Sequence, residues 1–208
     1  LLAGSGSATI NASTGLITGI SIGTVTLTVT SAGDTNYNVA TTSQLITIGK
    51  TTPVLTITSA NTVNVDGTLT ATVSTTATNG RGGAFTYALV AGSGSATINA
   101  STGLITGISI GSVTLTVTSG GDTNYSLATT SQLITIGKTT PVLTITSANT
   151  VNVDGTLTAT VSTTATNGRG GAFTYALAAG SGSATINAST GLITGISIGT
   201  VTLTATSA

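Results

Sequence analysis

Apolar and polar residues alternate along this chain with a period of two, and turn residues interrupt the alternation every 8–12 positions. Val113-Thr-Leu-Thr-Val117 places three aliphatic side chains on one face and threonines on the other. Leu69-Thr-Ala-Thr-Val73 and Phe85-Thr-Tyr-Ala-Leu89 repeat the pattern. β-branched and aromatic residues at every second position mark strands with one wet face. Val54–Ile57, Ala96–Ile98, Leu104–Ile108 and Gln132–Ile136 bring the predicted set to about seven strands. No stretch carries an apolar 3.6-residue period, so the chain is predicted to be all-β. Seven short strands with turns between them fit a two-sheet sandwich. Its inward set is predicted to include Leu55, Ile57, Leu69, Val73, Phe85, Tyr87, Leu89, Ile98, Val113, Leu115, Val117 and Ile136.

The breaks carry their own signals. Val65-Asp-Gly-Thr68 reads as an Asp-Gly hairpin turn. Asn99–Gly103 joins two strands and needs Gly103 at positive φ, and Asn79–Gly83 reads as a mobile glycine-rich loop. Gly120-Gly-Asp-Thr-Asn-Tyr125 follows the most regular strand.

The whole pattern recurs with a period of 88 residues. Ala3–Gly23 returns letter for letter at Ala91–Gly111 and Ala179–Gly199, and Thr51–Ala88 returns unchanged at Thr139–Ala176. Only nine of the 120 positions that can be compared at this offset differ. A unit of this size can bury its own core, unlike a solenoid rung. The boundaries follow: residues 1–49 form the C-terminal part of a repeat, 50–137 a complete one, and 138–208 a repeat without its last strand. Starting and stopping inside a unit predicts a stretch of a longer array. Ala178 and Ala205 each stand where the middle copy has Val. If both sites are buried, the third copy is the softest. The junction Gly137-Lys-Thr-Thr-Pro141 is short, and its proline fixes φ, which predicts restricted swinging between units.

Composition narrows the function classes. Only 4% of residues are charged: Lys50, Arg81, Lys138 and Arg169 against Asp34, Asp66, Asp122 and Asp154. Threonine supplies about a quarter of the chain, and His, Cys, Met, Trp and Glu are absent. Zero net charge leaves no electrostatic footprint for nucleic acid. No apolar run reaches the roughly 18 residues of a membrane span. A nucleophile would lack an activating base, so no catalytic residue and no enzyme are predicted. Each repeat's two Asp residues are too few for a calcium cage, so neither a metal nor a cofactor is expected. Asp66 is explained by its turn, and Asp122 by an Asx-type bond to the backbone near Asn124.

The stretch Ser95–Gly121 (SATINASTGLITGISIGSVTLTVTSGG) resembles the bacterial immunoglobulin-like repeat of the group-2 type. Gly121–Pro141 is similar to the strand-and-junction segment of tandem Ig-like repeats in giant bacterial surface proteins. The resemblance implies an extracellular stalk: a linear array of sandwiches in a long adhesin, projecting a distal binding region, whose partners are the neighbouring repeats. An alternative is a self-assembling fibre or sheath, with copies packed through uncharged Thr/Ser faces.

A further alternative is an ice- or glycan-binding module. The rows Thr114, Thr116, Thr118 and Thr68, Thr70, Thr72 are similar to the T-x-T arrays of ice-binding solenoids, but strand propensity accounts for them. Of the aromatics a glycan platform would need, Phe85 and Tyr87 are expected in the core. Tyr125 is expected at a sheet corner with its hydroxyl bonded to backbone. Lys50 and Lys138 raise a Lys–Asn isopeptide, but that chemistry needs a buried acid beside the pair, and Lys138 lies in an apparent linker. The sequon Asn99-Ala-Ser101 falls in a turn that the fold already explains.

Overall fold

The computed structural model describes residues 1–78, 82–166 and 171–207, and no helix occurs among them. Part of the loop expected at Asn79–Gly83, together with Arg81 and Arg169, lies outside the described residues. The chain divides into two compact units, Leu1–Lys138 and Thr139–Ala208.

The first unit opens with β1 (Leu2–Ala3), β2 (Ser7–Ile10), β3 (Ile17–Ser21), β4 (Gly23–Ser31) and β5 (Ala40–Ile48). β2 and β3 pair with each other, and β4 lies antiparallel between β1 and β5. The complete repeat follows as β6 (Leu55–Ile57), β7 (Thr62–Asn64), β8 (Thr68–Thr70), β9 (Val73–Thr75), β10 (Phe85–Ala91), β11 (Ser95–Ile98), β12 (Leu104–Ser109), β13 (Gly111–Ser119) and β14 (Ala128–Gly137). One sheet has the order β10-β13-β14-β7. Opposite it stand β11-β12-β8 and the pair β6-β9.

The predicted run Leu69–Val73 is one course of chain that changes partners. Its first half, β8, pairs with β12, and its second half, β9, pairs with β6. Between them Ala71 N donates to Gly103 O at 2.9 Å, and Thr72 O accepts from Thr58 N at 2.8 Å. The backbone groups at the break therefore remain satisfied.

The core lies between the two layers. Val113, Leu115 and Val117 on β13 and Ile134 and Ile136 on β14 meet Ile105 on β12, Val63 on β7 and Ala71. Ile57, Leu69, Val73, Phe85, Tyr87, Leu89 and Ile98 pack around this cluster half-buried, and Leu55 is buried as well. The expected inward set is thus where the alternation puts it. Ile105, Ile134 and Val63 are core residues outside that set. Ser119 is a buried polar one whose hydroxyl donates to Gly82 O.

The Asp-Gly segment is a turn, but it does not join a hairpin. Gly67 N donates to Asn64 O at 3.0 Å, and Asp66 sits at φ 62°. The strands on either side belong to different sheets, because β7 runs parallel to β14 while β8 pairs with β12. Val65 N donates to Gly137 O and Asp66 N to Gly107 O, both at 2.9 Å, so the turn stitches the two layers together. The Asn99–Gly103 turn is as expected, with Gly103 at φ 70° and Asn99 Oδ1 accepting from Ser101 N and Thr102 N, each at 3.0 Å.

The unit Thr139–Ala208 carries β15 (Leu143–Ile145), β16 (Thr156–Thr158), β17 (Val161–Thr163), β18 (Phe173–Ala178), β19 (Ser183–Ile186), β20 (Leu192–Ser197) and β21 (Thr202–Ser207). Their pairings, β15-β17, β16-β20-β19 and β18-β21, reproduce those of β6-β9, β8-β12-β11 and β10-β13. The two Val-to-Ala positions now separate. Val90, the counterpart of Ala178, is 59% exposed, whereas Val117, the counterpart of Ala205, is 0% exposed. The substitution at 178 therefore does not soften the third copy, because the lost methyl groups faced water. In the 208-residue chain, Val117→Ala is expected to cost about 2 kcal/mol in urea denaturation, from lost burial and the cavity left behind. Val90→Ala is expected to change stability by less than about 0.5 kcal/mol.

Candidate functional site

Two surfaces of the complete repeat carry chemistry that the core does not use. The first is the outer face of the sheet β10-β13-β14-β7. Pairing across the strands sets side chains in rows: Thr86, Thr118 and Thr129; Ala88, Thr116 and Ser131; Val90, Thr114 and Leu133; Ser112, Thr135 and Thr62. Every position in these rows is uncharged, and most end in a hydroxyl. Val90 and Leu133 form an exposed apolar pair flanking Thr114.

The second surface is the end of the repeat that holds Gly120–Ser126. Asp122 organises it. Its Oδ1 accepts from Asn124 N at 2.7 Å and Tyr125 N at 2.8 Å, and its Oδ2 accepts from Gly82 N at 2.8 Å. This is the Asx geometry expected for that residue. Tyr125 is half-buried, and its hydroxyl accepts from Thr78 N at 3.3 Å, as its corner position implied. The incoming linker is tied to the same loop. Thr51 N donates to Asn124 O at 3.1 Å, Ser126 N donates to Thr51 O at 3.0 Å, and Lys50 Nζ donates to Asp122 O at 2.8 Å.

Within the unit Leu1–Lys138 this loop also meets the preceding repeat. Ile22 N donates to Asn124 Oδ1 at 3.0 Å. A cleft of about 320 Å³ lies beside the contact, lined among others by Ile20, Ser21, Ile22, Thr78, Asn124 and Tyr125. Sequence reading assigned Asn124 no role beyond its place in the loop. Its partner lies 102 residues away along the chain, and no local pattern marks such a contact.

Neither surface assembles reactive groups. Among the described residues, no three His, Cys, Asp or Glu side chains come together in a way that could hold a metal. Asp66 and Asp122 occupy separate turns, each fixed by its own backbone bonds. Lys50 spends its ammonium on a backbone carbonyl, and Asn99 Oδ1 is occupied by its own turn. Thr68, Thr70 and Thr72 are exposed, while Thr114, Thr116 and Thr118 are half-exposed on the outer face. No helix among the described residues is long and apolar enough to cross a membrane.

Tandem all-β units, joined by short linkers that each carry a single lysine, place the chain among modular repeat proteins with immunoglobulin-like topology. Residues 50–131 and 138–208 match the bacterial Ig-like domain (group 2) family, and the chain belongs to it. Domains of this family are non-catalytic and occur in bacterial surface or extracellular proteins. No curated protein matches the chain.

Asp122→Ala leaves three backbone N–H groups without their acceptor and is expected to destabilise the complete repeat by about 2 kcal/mol. Urea denaturation of the 208-residue chain measures it. A loss below about 0.5 kcal/mol would mean that water replaces the carboxylate at no cost.

Proposed function

We propose that this chain is a length of structural spacer from a long, repetitive bacterial surface adhesin, holding a distal binding region away from the cell. The supporting observation is the near-verbatim repetition of a self-contained sandwich, with nine differences in 120 aligned positions. A catalytic or ligand-binding protein elaborates one site. A spacer needs equal, independently stable units and short linkers. The linker between β5 and β6 is only six residues, and three of its backbone and side-chain groups bond to the loop that follows β13.

Strands of about eight residues rising roughly 3.3 Å each make a sandwich with its loops roughly 35–45 Å long. Stacked end to end, an array gains that length for every 88 residues. The neutral surface serves the same purpose, because there is little charge for salt to screen or for divalent ions to bridge. Small-angle scattering on chains of two, three and four complete repeats is expected to show the maximum dimension growing by a constant step of roughly 35–45 Å. A dimension that stalls as repeats are added would overturn the spacer reading.

The outer face of the sheet β10-β13-β14-β7 supports a second reading, lateral association of copies into a fibre. Its rows carry no charge to hold neighbours apart, and Val90 and Leu133 offer an apolar contact. Sedimentation at rising protein concentration separates the two readings, since a pure spacer stays monomeric.

A further inference from the structure

The tetrapeptide Asp-Thr-Asn-Tyr occurs at residues 34–37 and again at 122–125. Both copies fold into the same turn. Asp34 Oδ1 accepts from Asn36 N and Tyr37 N at 2.7 and 2.9 Å, and Asp122 Oδ1 accepts from Asn124 N and Tyr125 N at 2.7 and 2.8 Å. Local sequence therefore builds the loop without help. The surroundings of the two copies differ. The second loop faces the segment Gly19–Ile22 of the repeat before it, and Tyr125 lines the cleft beside that contact together with Ile20, Ser21 and Ile22.

The receiving segment recurs as well. Gly-Ile-Ser-Ile occurs at 19–22, 107–110 and 195–198. Ile22, whose N–H is held by Asn124, is half-buried. The complete repeat thus has such a loop after β13 and, before β13, the segment Gly107–Ile110, which matches the one the loop meets in the repeat before it.

We propose that this loop is the docking element of the joint between successive repeats, and that its partner is the Gly-Ile-Ser-Ile segment of the repeat ahead. Asn124 is the specific contact. Its amide oxygen accepts the Ile22 N–H at the end of the preceding sandwich, where neither β3 nor β4 includes that residue. Lys50 and Thr51 fix the linker to the same loop, so one element sets both the path of the chain and the seat of its neighbour. The joint contains one carboxylate, that of Asp122, which already accepts three backbone N–H groups. The joint therefore needs no metal ion: it is held by hydrogen bonds, those of the Lys50 ammonium and the Asp122 carboxylate among them. This inference rests on the spacer reading and adds the means by which the spacer stays stiff.

The 208-residue chain has no cysteine, so Thr9→Cys and Thr97→Cys, both at exposed positions, introduce one nitroxide into each of the first two repeats. Pulsed electron-paramagnetic-resonance distances are expected to be narrowly distributed and unchanged by EDTA or molar salt. Asn124→Ala is expected to broaden them, and Asn36→Ala to leave them as they were. In the same variant the Ile22 amide is expected to exchange about fivefold faster, with Leu115 in the core of β13 unaffected.

Distances as narrow in Asn124→Ala as in the parent, with unchanged Ile22 exchange, would overturn the proposal. So would faster exchange at Leu115, which would make Asn124 a folding residue instead of a joint contact. Narrowing by calcium would equally refute a metal-free joint. The spacer reading fails differently: a length that stalls as repeats are added can coexist with a narrow distance distribution, and a constant step can survive the loss of Asn124.

Discussion

The sandwich depends on closure of one sheet by β14. This strand runs antiparallel to β13 over nine residue pairs and accepts β7 in parallel on its other edge. Without it β13 would be an edge, and the aliphatic row Val113, Leu115, Val117 would lose the cover of Ile134 and Ile136. The protein contains its own comparison. Residues 51–88 and 139–176 are identical in sequence. In the first copy Thr62–Asn64 is the strand β7, with Val63 buried; in the second, Thr150–Asn152 forms no strand and Val151 is half-buried. A parallel strand has no hairpin to hold it and exists only where a partner supplies its hydrogen bonds.

The two repeats also differ in how deeply their cores are buried. Leu55 is buried and its equivalent Leu143 half-buried; Val113 and Leu115 are buried and their equivalents Val201 and Leu203 half-buried. β14 pairs with β7 from more than 70 positions earlier in the chain, so much of the stability rests on a contact of long loop closure.

Outside the core, the chain uses almost no charge. Its loops are held by side-chain oxygens accepting backbone N–H groups: Asp122 at the joint end, Asn99 at the β11–β12 turn, Thr75 and Thr76 near the end of β9. Cross-strand hydroxyl pairs such as Ser95–Ser109 at 2.8 Å and Thr58–Thr72 at 2.8 Å do the work that ion pairs do elsewhere. Such contacts are short in range and indifferent to ionic strength, which suits a domain whose neighbours are copies of itself.

Much of this was legible in the residues. Period-two alternation located the seven main strands and the inward faces of β10 and β13, because a pleated strand with one wet face has no other way to distribute its side chains. Asx geometry at Asp122 and positive φ at Gly103 followed from short-range sterics, and the repeat length from self-comparison. Three things needed the tertiary structure. β7 was invisible because Thr62-Val-Asn64 has only one apolar residue and takes its order from β14. The Asp-Gly turn looked like a hairpin because turn chemistry sets local φ and ψ but not which sheet receives the next strand. Asn124 is an ordinary loop asparagine until Ile22 is brought to it. Local patterns determined what each segment prefers to be; only the meeting of distant segments decided which backbone groups are paired and which side chains leave water.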